Sequence, residues 1–235
     1  MRVCTQLYRG PSQVGTFVPG RNPGGVPRLD VVTRLDADPV HIRLHGRGGQ
    51  GTVTAAELLA VAAFEDGLYA QAFPSFGSER TGAPVEAYCR VGSHEIRTRE
   101  PVRDPHVLII QDPTLLGVVP IFAGLRPDGF VLINTATPLH ELGMGDDLAR
   151  LDRGRVLSLP ATDIALQYLQ RPTPNSVLLG GFAAMTELIS LDGVEAAIRH
   201  RFRGPVADAN IEAVRVAFHH VRHEREEEQS RATAT

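Results

Sequence analysis

Lysine is absent from this chain of 235 residues, whose 24 basic residues are all arginine. Schiff-base catalysis and the lysine-dependent phosphate loop of P-loop enzymes are therefore excluded. The two cysteines, Cys4 and Cys89, cannot form a disulfide framework, a four-cysteine zinc site or a self-contained iron–sulfur cluster. Any redox metal associated with the protein must therefore lie in another chain.

Long apolar runs and a strong charge of either sign are also missing. No segment approaches the ~18 consecutive apolar residues of a membrane span, and prolines interrupt residues 1–40, where a signal peptide would need an apolar core. The 24 basic and 27 acidic residues give a formal net charge of −3, which does not favour nucleic acid as a partner. These absences predict a cytoplasmic protein without a membrane span.

The chain divides into three parts by composition. Residues 1–38 are rich in glycine, proline and arginine and show no periodicity, which predicts an amino-terminal extension. Residues 39–225 have the apolar periodicity of one domain, and residues 226–235 form a charged tail. The predicted elements are strands at 40–44, 68–73, 85–91, 107–111, 130–134 and 156–159, and helices at 52–66, 115–125, 161–170, 177–191, 193–202 and 208–225. This alternation predicts an α/β fold: a Rossmann-like, mostly parallel sheet with flanking helices and a helical C-terminal part.

A glycine turn joins the first predicted strand to the first predicted helix. Gly46, Gly48 and Gly51 satisfy the pattern G-x-G-x-x-G in the strand–turn–helix context that it requires. The glycines permit a tight turn, close approach of a ligand and close helix packing, while the free amides at the helix start attract an anion. The alternative is a turn that only packs the helix on the sheet.

The glycine turn alone does not predict a nicotinamide nucleotide. Such a site needs an acidic residue at the end of the second strand to hold the ribose, and that strand ends in Gln71-Ala72-Phe73-Pro74. The nearest carboxylate, Glu79, lies beyond a proline and a glycine. A different phosphate-bearing ligand, or the backbone of a partner chain, fits the turn better.

Three stretches occur in an order that is specific for one group of enzymes. They read Gly46-Arg47-Gly48-Gly49-Gln50-Gly51, Gln71-Ala72-Phe73-Pro74-Ser75-Phe76-Gly77-Ser78-Glu79-Arg80-Thr81-Gly82-Ala83-Pro84-Val85 and Pro174-Asn175-Ser176-Val177-Leu178-Leu179-Gly180. In these stretches the chain resembles the gamma subunit of 2-oxoacid:ferredoxin oxidoreductases, above all those acting on pyruvate and 2-oxoisovalerate. The resemblance covers about residues 40–220 and gives no role to residues 1–38.

The resemblance implies a subunit that is catalytically silent alone. The complete enzymes convert a 2-oxoacid, with pyruvate the first expectation here and 2-oxoisovalerate the next, and coenzyme A to acyl-CoA, carbon dioxide and reduced ferredoxin. Thiamine diphosphate and Mg²⁺ lie between alpha and beta subunits, and [4Fe–4S] clusters lie in a delta subunit or domain. We therefore expect no catalytic residue, no metal and no resident cofactor in this chain.

The resemblance also suggests which residues face partners or substrate. In fused relatives the corresponding domain lies close to the coenzyme A site, so we expect the turn to face coenzyme A or a partner chain, through residues Gly46, Arg47, Gly48, Gly49, Gln50, Gly51 and Thr52. A second expectation is an intersubunit loop in which Phe73 and Phe76 are apolar anchors and Glu79 and Arg80 form an oriented pair. The alternative for Glu79 and Arg80 is a local ion pair on a surface turn.

Other candidate residues favour structural roles. His219, His220, His223 and Glu224 have helical spacing that could hold zinc, but a solvated helix surface is favoured. Asp112, Asn134 and Thr135 lie where strands end, so each could face a ligand or cap a helix, and a cap is favoured for Asp112. Asn175 could cap the helix from Ser176. His45 is interpreted as a hydrogen-bonded histidine at a strand end. Cys89 falls on the apolar face of a strand, which predicts an inert core residue.

Two other classes of function stay open at this level. The first is a free-standing, nucleotide-dependent oxidoreductase that uses the same glycine turn. The second is a structural scaffold in which the turn is incidental, so that substitutions there affect assembly and never coenzyme A kinetics.

Overall fold

The computed structural model describes residues 35, 37–75, 81–98, 100–144, 147, 151 and 153–233, and the structural statements below concern these residues. The strands are β1 (Val40–Arg47), β2 (Tyr69–Pro74), β3 (Pro84–Gly92), β4 (Val107–Ile110), β5 (Phe130–Asn134) and β6 (Val156–Leu159). The helices are α1 (Thr52–Glu65), α2 (Ala161–Leu169), α3 (Asn175–Thr186), α4 (Leu191–Arg201) and α5 (Gly204–Thr233).

One six-stranded sheet organises the fold, with strand order β2-β3-β1-β4-β5-β6. Strands β1, β4, β5 and β6 pair in parallel, while β3 is antiparallel to both of its neighbours, β1 and β2. Strands β4 and β5 are continuous apolar runs because parallel strands in such sheets are buried on both faces. The predicted α/β class with a mostly parallel sheet and a helical C-terminal part is confirmed.

The main hydrophobic core lies on the sheet face that the helices cover. Ile42 and Leu44 of β1 and Cys89 of β3 are fully buried there, packed with residues of the helices. Burial raises the pKa of the Cys89 thiol far above its usual value, so the thiolate that reacts is not formed. The prediction of an inert core cysteine is confirmed.

The opposite face of the sheet is covered by turns rather than by a helix. Leu115, Ile121 and Met144 pack on the apolar side chains of β4 and β5. The predicted helix at 115–125 was wrong: only the short 3-10 turn Pro113–Leu115 forms there. Gly117 and Gly124 adopt left-handed backbone angles, φ 76° and 74°, and a proline between them lacks the amide of a helical hydrogen bond.

The carboxy-terminal helices differ from their predicted bounds. Helix α3 ends at Thr186, because Glu187 takes a left-handed conformation with φ 56°, and Ser190 caps the next helix. Helix α5 continues past Arg225, where we had placed its end, to Thr233. Arg225 itself is buried and donates to the Ala184 carbonyl. Among the described residues, no helix combines the length and the apolar character needed to cross a bilayer.

Candidate functional site

The glycine turn lies at the carboxyl end of β1, at the edge of the sheet where the parallel strands end. Strand β1 ends at Arg47 and α1 begins at Thr52, with Gly51 as its N-cap in the left-handed region at φ 77°. The Thr52 hydroxyl fills the space beside Gly46: a Cβ on Gly46 would lie 2.2 Å from Thr52 Oγ1. The conformation and the packing of this turn therefore both require glycine.

The amide groups in the first turn of α1 have no side-chain cap. Gly51 offers no side chain to accept from them, no acidic residue stands in the first turn, and the first helical bond runs from Ala55 N to Gly51 O. A helix start with free amides carries partial positive charge and suits an anion. The geometry at this end of α1 is therefore compatible with a phosphate group.

The two long side chains of the turn point back onto the protein. Gln50 accepts from the Arg47 amide at 2.8 Å and donates to Asp112 Oδ2 at 2.6 Å. Arg47 Nε lies 3.3 Å from the same carboxylate oxygen and 3.1 Å from Thr114 Oγ1. We expected both side chains to face a ligand or a partner, whereas in the structure both hold the turn.

Asp112 is the point at which these contacts meet. Its Oδ1 accepts from the Thr114 amide at 2.9 Å and from the Thr114 hydroxyl at 2.6 Å, which confirms the predicted capping role for the short turn Pro113–Leu115. Burial alone raises the pKa of Asp112, but hydrogen bonds from Thr114 and Gln50 and the charge of Arg47 together hold it below its usual value. Asp112 is therefore ionised at neutral pH.

The glycine turn also contacts the segment just before β3. Gly48 N donates to Ala83 O at 2.9 Å, and Gly82 N donates to Gly48 O at 3.0 Å. Arg47 Nη1 donates to Gly82 O at 3.0 Å. Two of the three specific stretches of the sequence thus meet at one edge of the sheet.

Most of the predicted intersubunit loop lies outside the described residues, including Phe76, Glu79 and Arg80. Phe73 is described and is 8% exposed. Its ring packs against Tyr88 with centroids 5.2 Å apart, and the Arg90 guanidinium lies 5.0 Å from the Phe73 centroid. Phe73 is held within this chain, whereas the prediction used it as an anchor across an interface.

Two buried amides extend the polar contacts along the carboxyl edge. Gln111 donates to the Gln50 carbonyl, and Asn134 Nδ2 donates to the Gln111 carbonyl at 2.8 Å. Asn134 Oδ1 accepts from Thr162 N at 3.0 Å, so Asn134 caps α2 from a neighbouring strand. We missed Gln111 in the sequence, although a polar residue that ends a buried strand is a usable signal.

Asn175 lies at the start of α3 and beside the glycine turn. Helix α3 begins at Asn175 itself, one residue earlier than the cap prediction assumed, and Asn175 Oδ1 accepts from Ser176 N at 2.9 Å, so the side chain does serve a backbone amide of the first turn. Asn175 Nδ2 is 2.6 Å from the point where a Cβ on Gly51 would lie. The starts of α1 and α3 are therefore neighbours at this edge.

His45 directly precedes Gly46 of the turn and is 2% exposed. Its Nε2 accepts from Arg43 Nε at 3.0 Å, which leaves the ring proton on Nδ1, 3.7 Å from Glu86 Oε1. The pKa of His45 is lowered to about 4, mainly by burial and also by the charge of Arg43, while Glu86 opposes the change. The interpretation as a hydrogen-bonded histidine at a strand end is confirmed.

The histidines of α5 are far in sequence from the residues of this edge. His220 pairs with Glu224 at 3.4 Å and His223 with Glu227 at 3.2 Å, each one helical turn apart. Within the described part of the chain, no group of three histidine, cysteine or carboxylate side chains could hold a metal ion.

Comparison with known proteins identifies the family. Residues 41–219 match the family model described as pyruvate ferredoxin/flavodoxin oxidoreductase. The chain belongs to this family. Pyruvate synthase subunit PorC of Methanothermobacter marburgensis is 46% identical over 184 residues, which are 78% of this chain and 98% of the relative. The common gamma subunit of pyruvate/ketoisovalerate oxidoreductases of Pyrococcus abyssi is 44% identical over 181 residues, 76% of this chain and 95% of the relative.

Solved structures agree with the family assignment. The pyruvate oxidoreductase subunit PORC of Thermotoga maritima superposes with a TM-score of 0.66 at 37% identity, covering 78% of this chain and 97% of that one. A 2-oxoglutarate:ferredoxin oxidoreductase of Magnetococcus marinus, solved with 2-oxoglutarate, coenzyme A and succinyl-CoA, has a TM-score of 0.60 over 80% of this chain and 32% of its own. Its 16% identity supports the fold alone. The resemblance to the gamma subunit of an oxidoreductase complex is confirmed.

Proposed function

We propose that this chain completes the coenzyme A site of a 2-oxoacid:ferredoxin oxidoreductase by presenting its glycine turn to the coenzyme's phosphates. The assembled enzyme oxidatively decarboxylates a 2-oxoacid and forms acyl-CoA, carbon dioxide and reduced ferredoxin. The observation that carries the proposal is the start of α1, where Gly51 leaves the first-turn amides without a side-chain cap. Coenzyme A bears several phosphates, and such a helix start suits one of them.

Arg47 has fewer free donors for a phosphate than the sequence suggested, because part of its guanidinium bonds within the chain. One N–H on each of its three guanidinium nitrogens is used inside the chain, on Thr114 and Gly82. A guanidinium has five N–H donors, so two remain for a phosphate oxygen. The Arg47 charge is partly balanced by Asp112. The backbone amides therefore carry most of the anion contact, and Arg47 contributes from the side.

The thiamine diphosphate, Mg²⁺ and iron–sulfur clusters belong, in this proposal, to alpha, beta and delta partners. This chain supplies no cluster ligands because it has two cysteines in all, one of them the buried Cys89. Pyruvate is the proposed first substrate because relatives are named for pyruvate synthase. The name of the Pyrococcus abyssi relative, a common subunit of pyruvate and ketoisovalerate oxidoreductases, supports a substrate choice made in other chains.

A free-standing nucleotide-dependent oxidoreductase is not favoured. Strand β2 is separated from β1 by the antiparallel β3, so its end does not lie beside the turn as it does in dinucleotide-binding folds. The family assignment points to a subunit of a complex instead.

The test substitutes Gly49, whose backbone has φ 97° and where an added Cβ meets nothing within 4 Å. In the assembled enzyme, Gly49→Ala places a methyl group on the exposed side of the turn and should raise the KM for coenzyme A about tenfold. The KM for pyruvate and the yield of co-purified partners should stay unchanged. Gly143→Ala is the matched control, since Gly143 has φ 70°, equally open space and a position outside the turn.

An unchanged KM for coenzyme A in Gly49→Ala would contradict the proposal. Loss of the co-purifying partners would also contradict it, and would assign the turn to a subunit interface instead.

A further inference from the structure

We propose that Asp112 is a positioning residue that couples the glycine turn to the segment before β3. This inference rests on the proposed function, because the site that Asp112 positions is the coenzyme A site. Asp112 is 8% exposed and stands just after β4, beside the turn. Asp112 contacts the glycine turn through the side chains of Gln50 and Arg47.

The two oxygens of Asp112 have separate tasks. Oδ1 accepts from the amide and the hydroxyl of Thr114, at 2.9 and 2.6 Å. Oδ2 accepts from Gln50 Nε2 at 2.6 Å and lies 3.3 Å from Arg47 Nε. One oxygen therefore holds the local 3-10 turn, and the other holds the two long side chains of the glycine turn.

Through Gln50 and Arg47 the carboxylate controls two backbone positions. Gln50 Oε1 accepts from Arg47 N at 2.8 Å, which fixes the backbone where the turn begins. Arg47 Nη1 holds Gly82 O at 3.0 Å, next to the two backbone bonds that join Gly48 to Gly82 and Ala83. Without the carboxylate, Gln50 loses its acceptor and Arg47 loses its ion pair, so both contacts loosen together.

An asparagine at position 112 separates the two tasks. Its single carbonyl oxygen can still serve Thr114, so the cap of the short turn survives. Its NH₂ group then faces Gln50 Nε2 and Arg47 Nε, which are donors themselves. Asp112→Asn therefore removes the link to the glycine turn selectively.

The experiment compares Asp112→Asn, Arg47→Ala and the double variant in the assembled enzyme. We expect Asp112→Asn to raise the KM for coenzyme A about tenfold, the loss expected for one charge-assisted hydrogen bond, while kcat and the KM for pyruvate stay near wild type. The effect of the double variant should fall short of the product of the two single effects, because part of the Asp112 effect is transmitted through Arg47 and the rest through Gln50. Asp128→Asn is the control, since Asp128 pairs with Arg126 at the same 3.3 Å on another turn.

Hydrogen exchange gives a readout that does not depend on coenzyme A. Peptides that contain the Gly48 and Gly82 amides should exchange faster in Asp112→Asn than in wild type, and at the wild-type rate in Asp128→Asn. Wild-type exchange in Asp112→Asn, or effects of Asp112→Asn and Arg47→Ala that multiply in the double variant, would overturn the positioning role. A different result would contradict the proposed function. This is faster exchange in Asp112→Asn together with an unchanged KM for coenzyme A in all three variants Asp112→Asn, Arg47→Ala and Gly49→Ala.

Discussion

The two ends of helix α1 are built in opposite ways. At its carboxyl end Asp66 is the C-cap residue, and its carboxylate accepts from both the amide and the hydroxyl of Ser190. A Cβ on Gly193 would lie 2.8 Å from the Ala62 carbonyl, so helix α4 packs tightly there. At its amino end the helix starts from Gly51 with no side-chain cap. One end is closed by the chain's own groups, and the other leaves its first-turn amides without a side-chain cap.

Under the proposed function, this difference separates a structural end of the helix from a ligand-binding end. Helix α4 starts from Ser190, whose hydroxyl accepts from Gly193 N at 2.9 Å, in the manner of a structural N-cap. Helix α1 omits this stabilisation at the edge where the parallel strands end and where ligands of α/β proteins bind. Substitutions at the closed end should change stability alone, and substitutions at the open end should change coenzyme A binding.

The largest effect on stability is expected at the closed end. Asp66→Ala removes the acceptor for both Ser190 donors and should lower the free energy of unfolding by about 4 kcal/mol. Chemical denaturation of the purified chain measures this loss. The KM for coenzyme A of assembled enzyme should stay at the wild-type value, and a raised KM would break the distinction between the two ends.

Acid should lower the free energy of unfolding through His45, which lies in β1, the strand before the open end of α1. The pKa of His45 in the folded protein is lowered to about 4, from an ordinary value near 6.5. As pH falls, the unfolded chain therefore binds a proton at His45 before the folded chain does. The contribution of His45 to the free energy of unfolding is fully present above pH ~6.5. It decreases by about 3 kcal/mol in all as pH falls to about 4. His45→Gln should flatten the dependence of unfolding free energy on pH between these values, and parallel curves for the two proteins would contradict the assignment.

A methyl group on the N-cap of α1 tests the geometry of the open end. Gly51→Ala strains a backbone at φ 77° and brings its Cβ within 2.6 Å of Asn175 Nδ2, with an expected loss of about 2 kcal/mol in unfolding free energy. Adding Asn175→Ala should recover the part due to the close contact and leave about 1 kcal/mol of strain. Equal stability of the single and the double variant would show that Asn175 does not press on the turn.

The smallest change in stability is expected from an acidic side chain added to the first turn of α1. Thr54→Glu adds an acidic residue to the first turn of α1, which has none, and should stabilise the chain by about 0.5 kcal/mol. The same charge repels a phosphate, so the KM for coenzyme A should rise about fivefold. Thr54→Gln is the uncharged control. A gain in stability without a change in the KM would show that the coenzyme's phosphates do not approach this end.

The sequence was sufficient for the six strands and for the position of the turn, but not for the strand order or the antiparallel pairing of β3. The apolar runs of β4 and β5 identify buried parallel strands, because no polar residue interrupts them. A helix was predicted over residues 115–125, but two glycines with positive φ and a proline between them break the hydrogen-bond ladder. Local apolar spacing alone could not show that these turns cover the sheet without a helix.

The candidate site was predictable only in part. The pattern of Gly46, Gly48 and Gly51 located the turn because its conformation depends on neighbouring residues. The link from Gln50 to Asp112 joins residues 62 positions apart, and the link from Arg47 to Gly82 joins residues 35 apart. No local pattern reports such contacts, so Arg47 and Gln50 were expected to face outward.

The most direct measurement is hydrogen exchange at the start of α1 in the assembled enzyme, with and without coenzyme A. We predict that coenzyme A slows the exchange of the amides of residues 49–54, while pantetheine, which lacks the phosphates, does not. Peptides around Asp66 at the closed end should exchange equally in all three samples. Unchanged exchange at 49–54 on addition of coenzyme A, with slowing already complete on assembly, would contradict the account and show that a partner chain covers the turn.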